Sequence, residues 1–395
     1  MNFENNEEVT SEQLPPEDIH EDISEEHTQT DNEQPPRKKL SMFCKILYAI
    51  AAFCALLYLL FVIFPSFSDF FNKYISSVVR ATLAHLTSWI PFSLAEYLLL
   101  LIPVMIVVLA TVGIKHYASS WRNVGVFCLI ILSVLSYIFS TFTLGFVPAY
   151  RGSTLDVKMG LDKQPVSADE LCMTAIILSD KIEAEVDKIK FANDGSSVMP
   201  YSYAEMNDKL MTAYGKACEK YGFIQKLNSK IKRVMLSEPM TYTHISGVYT
   251  FFTGEANLNV NYPDYCLPNT AAHEFAHQRG IAKEDEANFV AFLVCSESDD
   301  AYLRYSAYLN LYEHVMDALY SADKDYFTAV YKMLPQEARG ELVAFSKFFD
   351  KYRDNVASDV SGAVNNAFIQ SNGDKAGSKS YGMVVDLAVA YYKGN

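Results

Sequence analysis

The stretch His273-Glu274-Phe275-Ala276-His277 decides the fold and the chemistry expected of this chain. Two imidazoles four residues apart lie on one face of an α-helix, where both can reach a single Zn²⁺ ion. Glu274 then faces the open coordination position, at which zinc lowers the pKa of a bound water molecule to about 7. The spacing predicts a zinc-dependent hydrolase of peptide bonds, with His273 and His277 as metal ligands and Glu274 as the general base.

The residues around this motif predict two consecutive helices. Pro268 followed by polar residues is typical of a helix start, with Asn269 or Thr270 as the N-cap. Gly280 is typical of the C′ residue that ends a helix. A second helix is expected from about Lys283, because three acids follow it and negative charge is favourable at a helix N-terminus.

Those acids are the candidates for a third metal ligand, since catalytic zinc usually has three protein ligands. No histidine follows Gly280 within a turn. Glu284 is the preferred ligand, because Asn288 lies one turn further and could orient its carboxylate. Glu286 and Asp285 remain the alternatives.

A β-hairpin is predicted just before the metal helix. Residues 248–252 and 256–260 are rich in β-branched and aromatic side chains and flank a turn that contains Gly254. An extended peptide can add as a further strand to the edge of such a sheet. A hairpin that only covers the core explains the pattern equally well. Further upstream, capping boxes at residues 167–170 and 202–205 predict scaffold helices to about Ile189 and Tyr221.

Three apolar blocks precede the soluble part of the chain, at residues 43–64, 94–114 and 124–147. Each is long enough to cross a hydrocarbon core of about 30 Å. Three such blocks within 150 residues favour membrane spans over buried core helices. The expected organisation is an acidic tail at 1–40, a three-helix membrane region at 41–149 and a soluble domain at 150–395.

The formal charge of −14 is concentrated in one segment. Residues 1–36 hold 12 of the 47 acidic side chains and none of the 33 basic ones, so the remainder is close to neutral. This composition predicts a disordered tail. No basic region suited to nucleic acid remains. The seven cysteines have no spacing typical of a disulfide framework or a metal site.

Basic residues near the apolar blocks predict the orientation in the membrane. Arg37-Lys38-Lys39 precedes the first block, and Lys115 and Arg122 lie between the second and third. Lysine and arginine are enriched on the cytoplasmic side. We therefore expect a multi-pass protein of the cell membrane, with a cytoplasmic tail and a catalytic domain outside the cytoplasm.

Transition-state stabilisation requires a hydrogen-bond donor directed at the developing oxyanion. Tyr305 is the preferred candidate in the soluble part. Arg304, His244 and His314 are the alternatives.

Several motifs together resemble the bacterial membrane family labelled domain of unknown function 3810. They are residues 252–257, 267–268, 273–280 and 284–289, with Tyr150-Arg151, Arg304-Tyr305-Ser306 and Ser380-Tyr381-Gly382. A more distant similarity is to glutamate-ligand zinc peptidases of the CaaX prenyl protease type, whose second helix carries Glu-x-x-Ala-Asp. Asn288 replaces that aspartate here, and the gap between His277 and Glu284 is shorter. This resemblance implies that Glu284 is the third ligand.

The sequence thus predicts a mainly α protein with three transmembrane helices and a zincin-like α+β domain. Its expected cofactor is Zn²⁺, and its expected partners are a peptide or protein substrate and the lipid bilayer. The rival hypothesis is a catalytically silent membrane-anchored module that binds peptide or envelope material, with a structural or absent metal.

Overall fold

The computed structural model describes residues 37–353, 355–373 and 383–394. Most of the predicted acidic tail and the motif at residues 380–382 therefore lie outside the described residues. All seven cysteines are unpaired thiols.

Two of the apolar blocks form helices long and apolar enough to cross a membrane. They are α1 (Met42–Ile63) and α6 (Trp121–Gly145). The helices pack together, and the Tyr48 hydroxyl donates to the Leu129 carbonyl at 2.6 Å. Most of their other side chains face outward, as expected of helices that contact lipid.

The second apolar block is interrupted rather than continuous. Here α4 (Leu94–Leu100) and α5 (Ile102–Tyr117) meet at a bend of 51°, so the pair is either one broken span or a re-entrant segment. Pro103 explains the break, because proline lacks the N–H that would bond to the Leu99 carbonyl and its ring clashes with that group. The described residues thus contain two candidate spans, and a third if the bent pair crosses the membrane.

The segment between α1 and α4 is helical. It comprises α2 (Pro65–Phe71), a π-helical turn (Asn72–Ser76) and α3 (Ser77–Ser88). Helix α3 packs against both α6 and the sheet.

The predicted hairpin is confirmed, within a sheet of three strands. β1 (Ile231–Arg233) pairs in parallel with β3 (Glu255–Leu258), which pairs antiparallel with β2 (Gly247–Thr250). Strand β1 was not predicted from the sequence, because it has only three residues. The sheet is tied to the bent helix pair, since the Glu255 carboxylate accepts the N–H groups of Leu94 and Ala95 at 3.1 and 3.0 Å.

Both predicted capping boxes are present. They begin α9 (Ala168–Val186) and α10 (Tyr203–Lys220), where the serine side chain and the glutamate three residues later satisfy each other's backbone N–H groups. The remaining helices are α7 (Val147–Arg151), α8 (Leu155–Met159), α11 (Ser237–Thr241), α12 (Cys266–Gln278), α13 (Glu284–Ser296), α14 (Ala301–Ala322), α15 (Lys324–Met333), α16 (Gln336–Phe349), α17 (Val356–Ser371) and α18 (Val384–Gly394).

The main hydrophobic core surrounds the metal motif. Helix α12 packs against α13, α14 and β3, and α9 packs along α14. Phe275 on α12 and Phe289 on α13 are fully buried. Each side chain of this type contributes about 1.5–3 kcal/mol through burial, which holds the two helices in a fixed relation.

The start predicted for the metal helix is corrected by the structure. Helix α12 begins at Cys266, with Tyr265 as the N-cap, so neither Asn269 nor Thr270 caps it. Pro268 lies in the first turn, where an N–H has no intrahelical partner and a proline is tolerated. The predicted end is confirmed, because Gly280 follows with φ of 85°.

Candidate metal centre

The three predicted ligands converge in the structure. His273 and His277 lie one turn apart on α12, and Glu284 is the first residue of α13. The Glu284 Oε2 atom lies 3.2 Å from the His273 Nε2 and 3.4 Å from the His277 Nε2. All three ligand atoms lie within 4.8 Å of one another, and all three side chains are buried.

These distances fit a metal of the expected kind. Zinc binds nitrogen and oxygen at about 2.0–2.2 Å, and the edge of a tetrahedron with such bonds is about 3.3–3.6 Å. The two nitrogen–oxygen separations are close to that edge. The donor set of two imidazoles and one carboxylate is also one that catalytic zinc sites use. The residues present therefore fit Zn²⁺.

A tight turn between the two helices brings Glu284 to the histidines. The backbone of Gly280 adopts a left-handed conformation that residues other than glycine rarely adopt. Only three residues then separate it from the start of α13 at Glu284. A side chain at Gly280 would also collide with the guanidinium of Arg80. This glycine is thus required by both the turn and the packing.

The other two acids of α13 point elsewhere. Glu286 accepts the backbone N–H of Leu155 at 3.0 Å and contacts Lys283 at 3.3 Å. Asp285 lies 3.9 Å from Lys163. The structure therefore places only Glu284 at the histidines. The pairing predicted between Glu284 and Asn288 is not observed as a hydrogen bond, although both are described residues.

His277 is oriented by the same turn. Its Nδ1 lies 2.8 Å from the Ile281 carbonyl, which can only accept, so Nδ1 carries a proton and Nε2 faces Glu284. Such a backbone partner fixes the tautomer of a ligating histidine. Burial lowers the pKa of His277, but the Glu284 carboxylate outweighs burial and raises it to about 9. Burial likewise raises the pKa of Glu284, yet the two histidines hold it well below its usual value.

The Glu274 side chain extends from α12 towards the sheet, where it contacts β2. A Cβ at Gly247, the first residue of β2, would come within 2.6 Å of the Glu274 Oε1. Glycine there lets the carboxylate approach the strand. The Oε2 of Glu274 is buried without a hydrogen-bond partner among the described residues. Burial raises the pKa of this carboxyl group, which makes it more basic.

Two clefts meet at His273 and Glu274. The first, of about 320 Å³, is mainly apolar, runs along β2 and includes Phe146, Tyr150 and Phe368. The second, of about 490 Å³, is lined by polar residues from α12, α14 and α17. β2 is an edge strand whose second edge is not paired with another strand in the part of the chain that the structure describes. Together the clefts form a groove that passes His273, His277 and Glu284.

The structure does not bring Tyr305 to this groove. Its hydroxyl donates to the Glu341 Oε2 at 3.2 Å, and its ring is fully buried on the core side of α14. Arg304 is also remote, because its guanidinium forms two 2.8 Å bonds to Glu185 of α9. Both residues lie on α14, and neither lines the clefts at the cluster.

The two histidine alternatives do reach the groove. His244 and His314 both line the polar cleft with His273. His244 is held at its Nε2 by the Tyr352 carbonyl at 2.7 Å. Burial lowers the pKa of His314 to about 4, so its ring is neutral near pH 7 and can donate one hydrogen bond.

Several residues of the groove were missed by the sequence analysis. Gly247 carried no signal beyond that of a strand end, although its contact with Glu274 is a tertiary one. Helix α17 contributes Ser361, Gly362 and Asn365, which are small or polar residues without a motif. Only the folding of α17 across the site reveals them.

Substituting Glu284 tests its assignment as the ligand. Glu284→Gln is expected to weaken zinc binding by more than about 10- to 100-fold. That range is the usual loss when a residue that only hydrogen-bonds to a metal ligand is substituted. Glu286→Gln is the matched control, because it removes a buried carboxylate from the same turn that points away from the histidines. Chelator competition on both purified variants gives the ranking. Weaker zinc binding in the control than in Glu284→Gln would assign the ligand to Glu286.

The fold and the site define a mainly helical protein that has two candidate membrane spans and a buried His-His-Glu cluster. A sequence model described as "Protein of unknown function (DUF3810)" matches residues 67–389. The chain therefore belongs to this family. No curated protein and no solved structure gives a significant match.

Proposed function

We propose that the protein is a membrane-anchored, zinc-dependent peptidase. The observation that carries the proposal is the convergence of His273, His277 and Glu284 at the separations of a zinc ligand set, beside the buried carboxylate of Glu274. When bound, zinc would supply a Lewis acid that polarises a peptide carbonyl and lowers the pKa of water.

The residues of the chain then have distinct roles. Glu274 accepts a proton from the attacking water and passes it to the leaving amine, which its raised pKa favours. His314 takes the oxyanion role first assigned to Tyr305, because it lines the polar cleft and Tyr305 does not. A neutral imidazole donates a hydrogen bond to developing negative charge without repelling the metal.

The substrate in this proposal is an extended peptide close to the membrane surface. The free edge of β2 offers backbone groups to which an extended chain can bind. Phe146 lines the same groove and directly follows the last residue of α6, with its ring centroid 6.1 Å from that of His277. This arrangement is the zincin-like feature of the proposal, an edge strand beside a metal-binding helix.

A metal-exchange experiment tests the activity. Full-length protein loaded with zinc is expected to cleave members of a peptide library, and removal of zinc by a chelator should abolish cleavage until zinc is restored. Mass spectrometry of the library identifies the cleaved bonds. Zinc-loaded protein that binds peptides and cleaves none would instead support the catalytically silent module.

The proposal also includes the topology. The bent pair α4–α5 counts as one span, which gives three spans and places the acidic tail and the metal centre on opposite sides of the membrane. Basic residues before α1 and between α5 and α6 favour a cytoplasmic tail. In a cysteine-free background, a cysteine at Ser371, an exposed position next to the buried Asn372, is expected to react with a membrane-impermeant thiol reagent on intact cells, and one at Thr30 is not. The reverse labelling pattern would place the site in the cytoplasm.

A further inference from the structure

A cavity of about 480 Å³ lies at the C-terminal end of the metal helix, where Arg279 forms part of its lining. Four cationic residues line it: Lys73, Arg80, Lys158 and Arg279. None of its lining residues lines either cleft at the metal cluster. It is therefore a separate site, and its chemistry is set by positive charge.

Arg80 is the most unusual of these residues. Its side chain is only 2 % exposed, and the hydrogen-bond acceptors around it are neutral. Its Nη1 donates to the Asn72 Oδ1 at 2.8 Å and to the Gly145 carbonyl at 2.7 Å, while its Nε has no partner among the described residues. Burying a charge without a counter-ion is costly, so a buried arginine normally has an anionic partner.

Arg279 repeats this pattern next to Arg80, whose Nη2 donates to the Arg279 carbonyl at 3.5 Å. It is also 2 % exposed, and its guanidinium lies 3.9 Å from the centroid of the Tyr214 ring. It donates to the carbonyls of Phe275 and Leu227, and its Nε is unpartnered among the described residues. Neither arginine is ion-paired with a carboxylate in the part of the chain that the structure describes.

The acid in the cavity wall does not neutralise the arginines. Asp69 accepts the Ser153 backbone N–H at 3.0 Å and the Ser153 hydroxyl at 2.5 Å. Its other contact is with Lys158, at 3.6 Å. Lys73 has no acidic partner among the described residues. The wall therefore has an excess of three positive charges.

We propose that this cavity binds a phosphate-type oxyanion, supplied either by a lipid headgroup or as free phosphate. The terminal nitrogens of both arginines already donate to neutral protein groups. The lysines Lys73 and Lys158 can therefore contact the phosphate oxygens directly, and the arginines contribute charge. The volume is ample for a phosphate group. The buried guanidinium groups of Arg80 and Arg279 add positive charge to the cavity, and no carboxylate among the described residues is paired with either.

The position of the cavity relative to the candidate spans brings it near the membrane surface. Its Asp69–Arg80 wall begins six residues after the end of α1, and Arg80 bonds to Gly145, the last residue of α6. Phe70, Tyr74 and Val78 recur at helical spacing along the same segment, outside the cavity lining, and all three are more than half exposed. Such an apolar face suits the boundary between headgroups and acyl chains.

Binding to the full-length protein tests the proposal with two probes. The protein in dodecyl maltoside is titrated with inorganic phosphate at constant ionic strength, and its thermal midpoint is followed, because a ligand of the folded state raises that midpoint. The same protein is then placed in nanodiscs of phosphatidylcholine with and without phosphatidylglycerol. Stabilisation by phosphate assigns free phosphate, and stabilisation by phosphatidylglycerol alone assigns a headgroup.

Matched variants locate the site. Lys73→Gln, at an exposed position, is expected to weaken binding by about 10-fold or more for whichever of the two probes stabilises the parent protein. Lys324→Gln removes one exposed charge far from the cavity and should leave binding unchanged. Arg80→Gln should lose binding, and if it does not fold, Lys73→Gln alone decides. No response to either probe, or equal weakening in the two lysine variants, would overturn the proposal.

Discussion

Glu274→Gln is expected to retain zinc and to lose peptide hydrolysis by about 10²- to 10⁴-fold, the usual contribution of a general base. Glutamine preserves the shape of the side chain against Gly247 but cannot accept the proton. Since Glu274 is not one of the three converging ligands, the metal set remains complete. The variant therefore separates chemistry from metal binding.

The measurement compares cleavage of the same peptides by parent and variant at equal zinc content. Glu286→Gln serves as the control, because it makes the same substitution at a buried carboxylate outside the groove. We expect the control to cleave at close to the parent rate. Equal rates for Glu274→Gln and the parent would show that Glu274 is not the base.

His277→Ala is expected to lose stoichiometric zinc, from about one equivalent in the parent. The change removes one of three donors and also the Ile281 contact that orients the ring. Metal binding requires the full ligand set to be in place, so two remaining donors hold zinc weakly. His273→Ala should behave in the same way.

Elemental analysis of the purified full-length variants supplies the measurement. His314→Ala is the control, because this histidine lines the polar cleft without belonging to the ligand cluster. It should retain zinc. Unchanged zinc in both His273→Ala and His277→Ala would rule out the proposed metal site.

Much of the helical fold could be predicted, because its signals are local. The serine–glutamate capping boxes and the glycine after the metal helix are satisfied by neighbours within a turn. The apolar blocks of α1 and α6 are equally local. Prediction was poorer where a single residue breaks a long pattern, as Pro103 does in the second block.

The candidate ligands likewise divide into those that local sequence predicts and one that depends on packing between helices. The spacing of His273 and His277 fixes their common face on any α-helix. The preference for Glu284 over Glu286 rested on a pairing with Asn288 that the structure does not show as a hydrogen bond. The packing of α13 on α12 and the turn at Gly280 are instead what place Glu284 beside the histidines.

The sequence by itself determined the helix pair, the two histidines, the adjacent glutamate and two membrane-length helices, because each depends on periodicity or on contacts within a few residues. Only the tertiary structure decided which residues complete the groove. The Tyr305 hydroxyl bonds to Glu341 instead of facing the groove, and His314 and α17 line the groove with His273 and Glu274. The tertiary structure also left Arg80 and Arg279 buried together without an acid. Such groupings arise from contacts between segments far apart in the chain, which no local pattern of residues encodes.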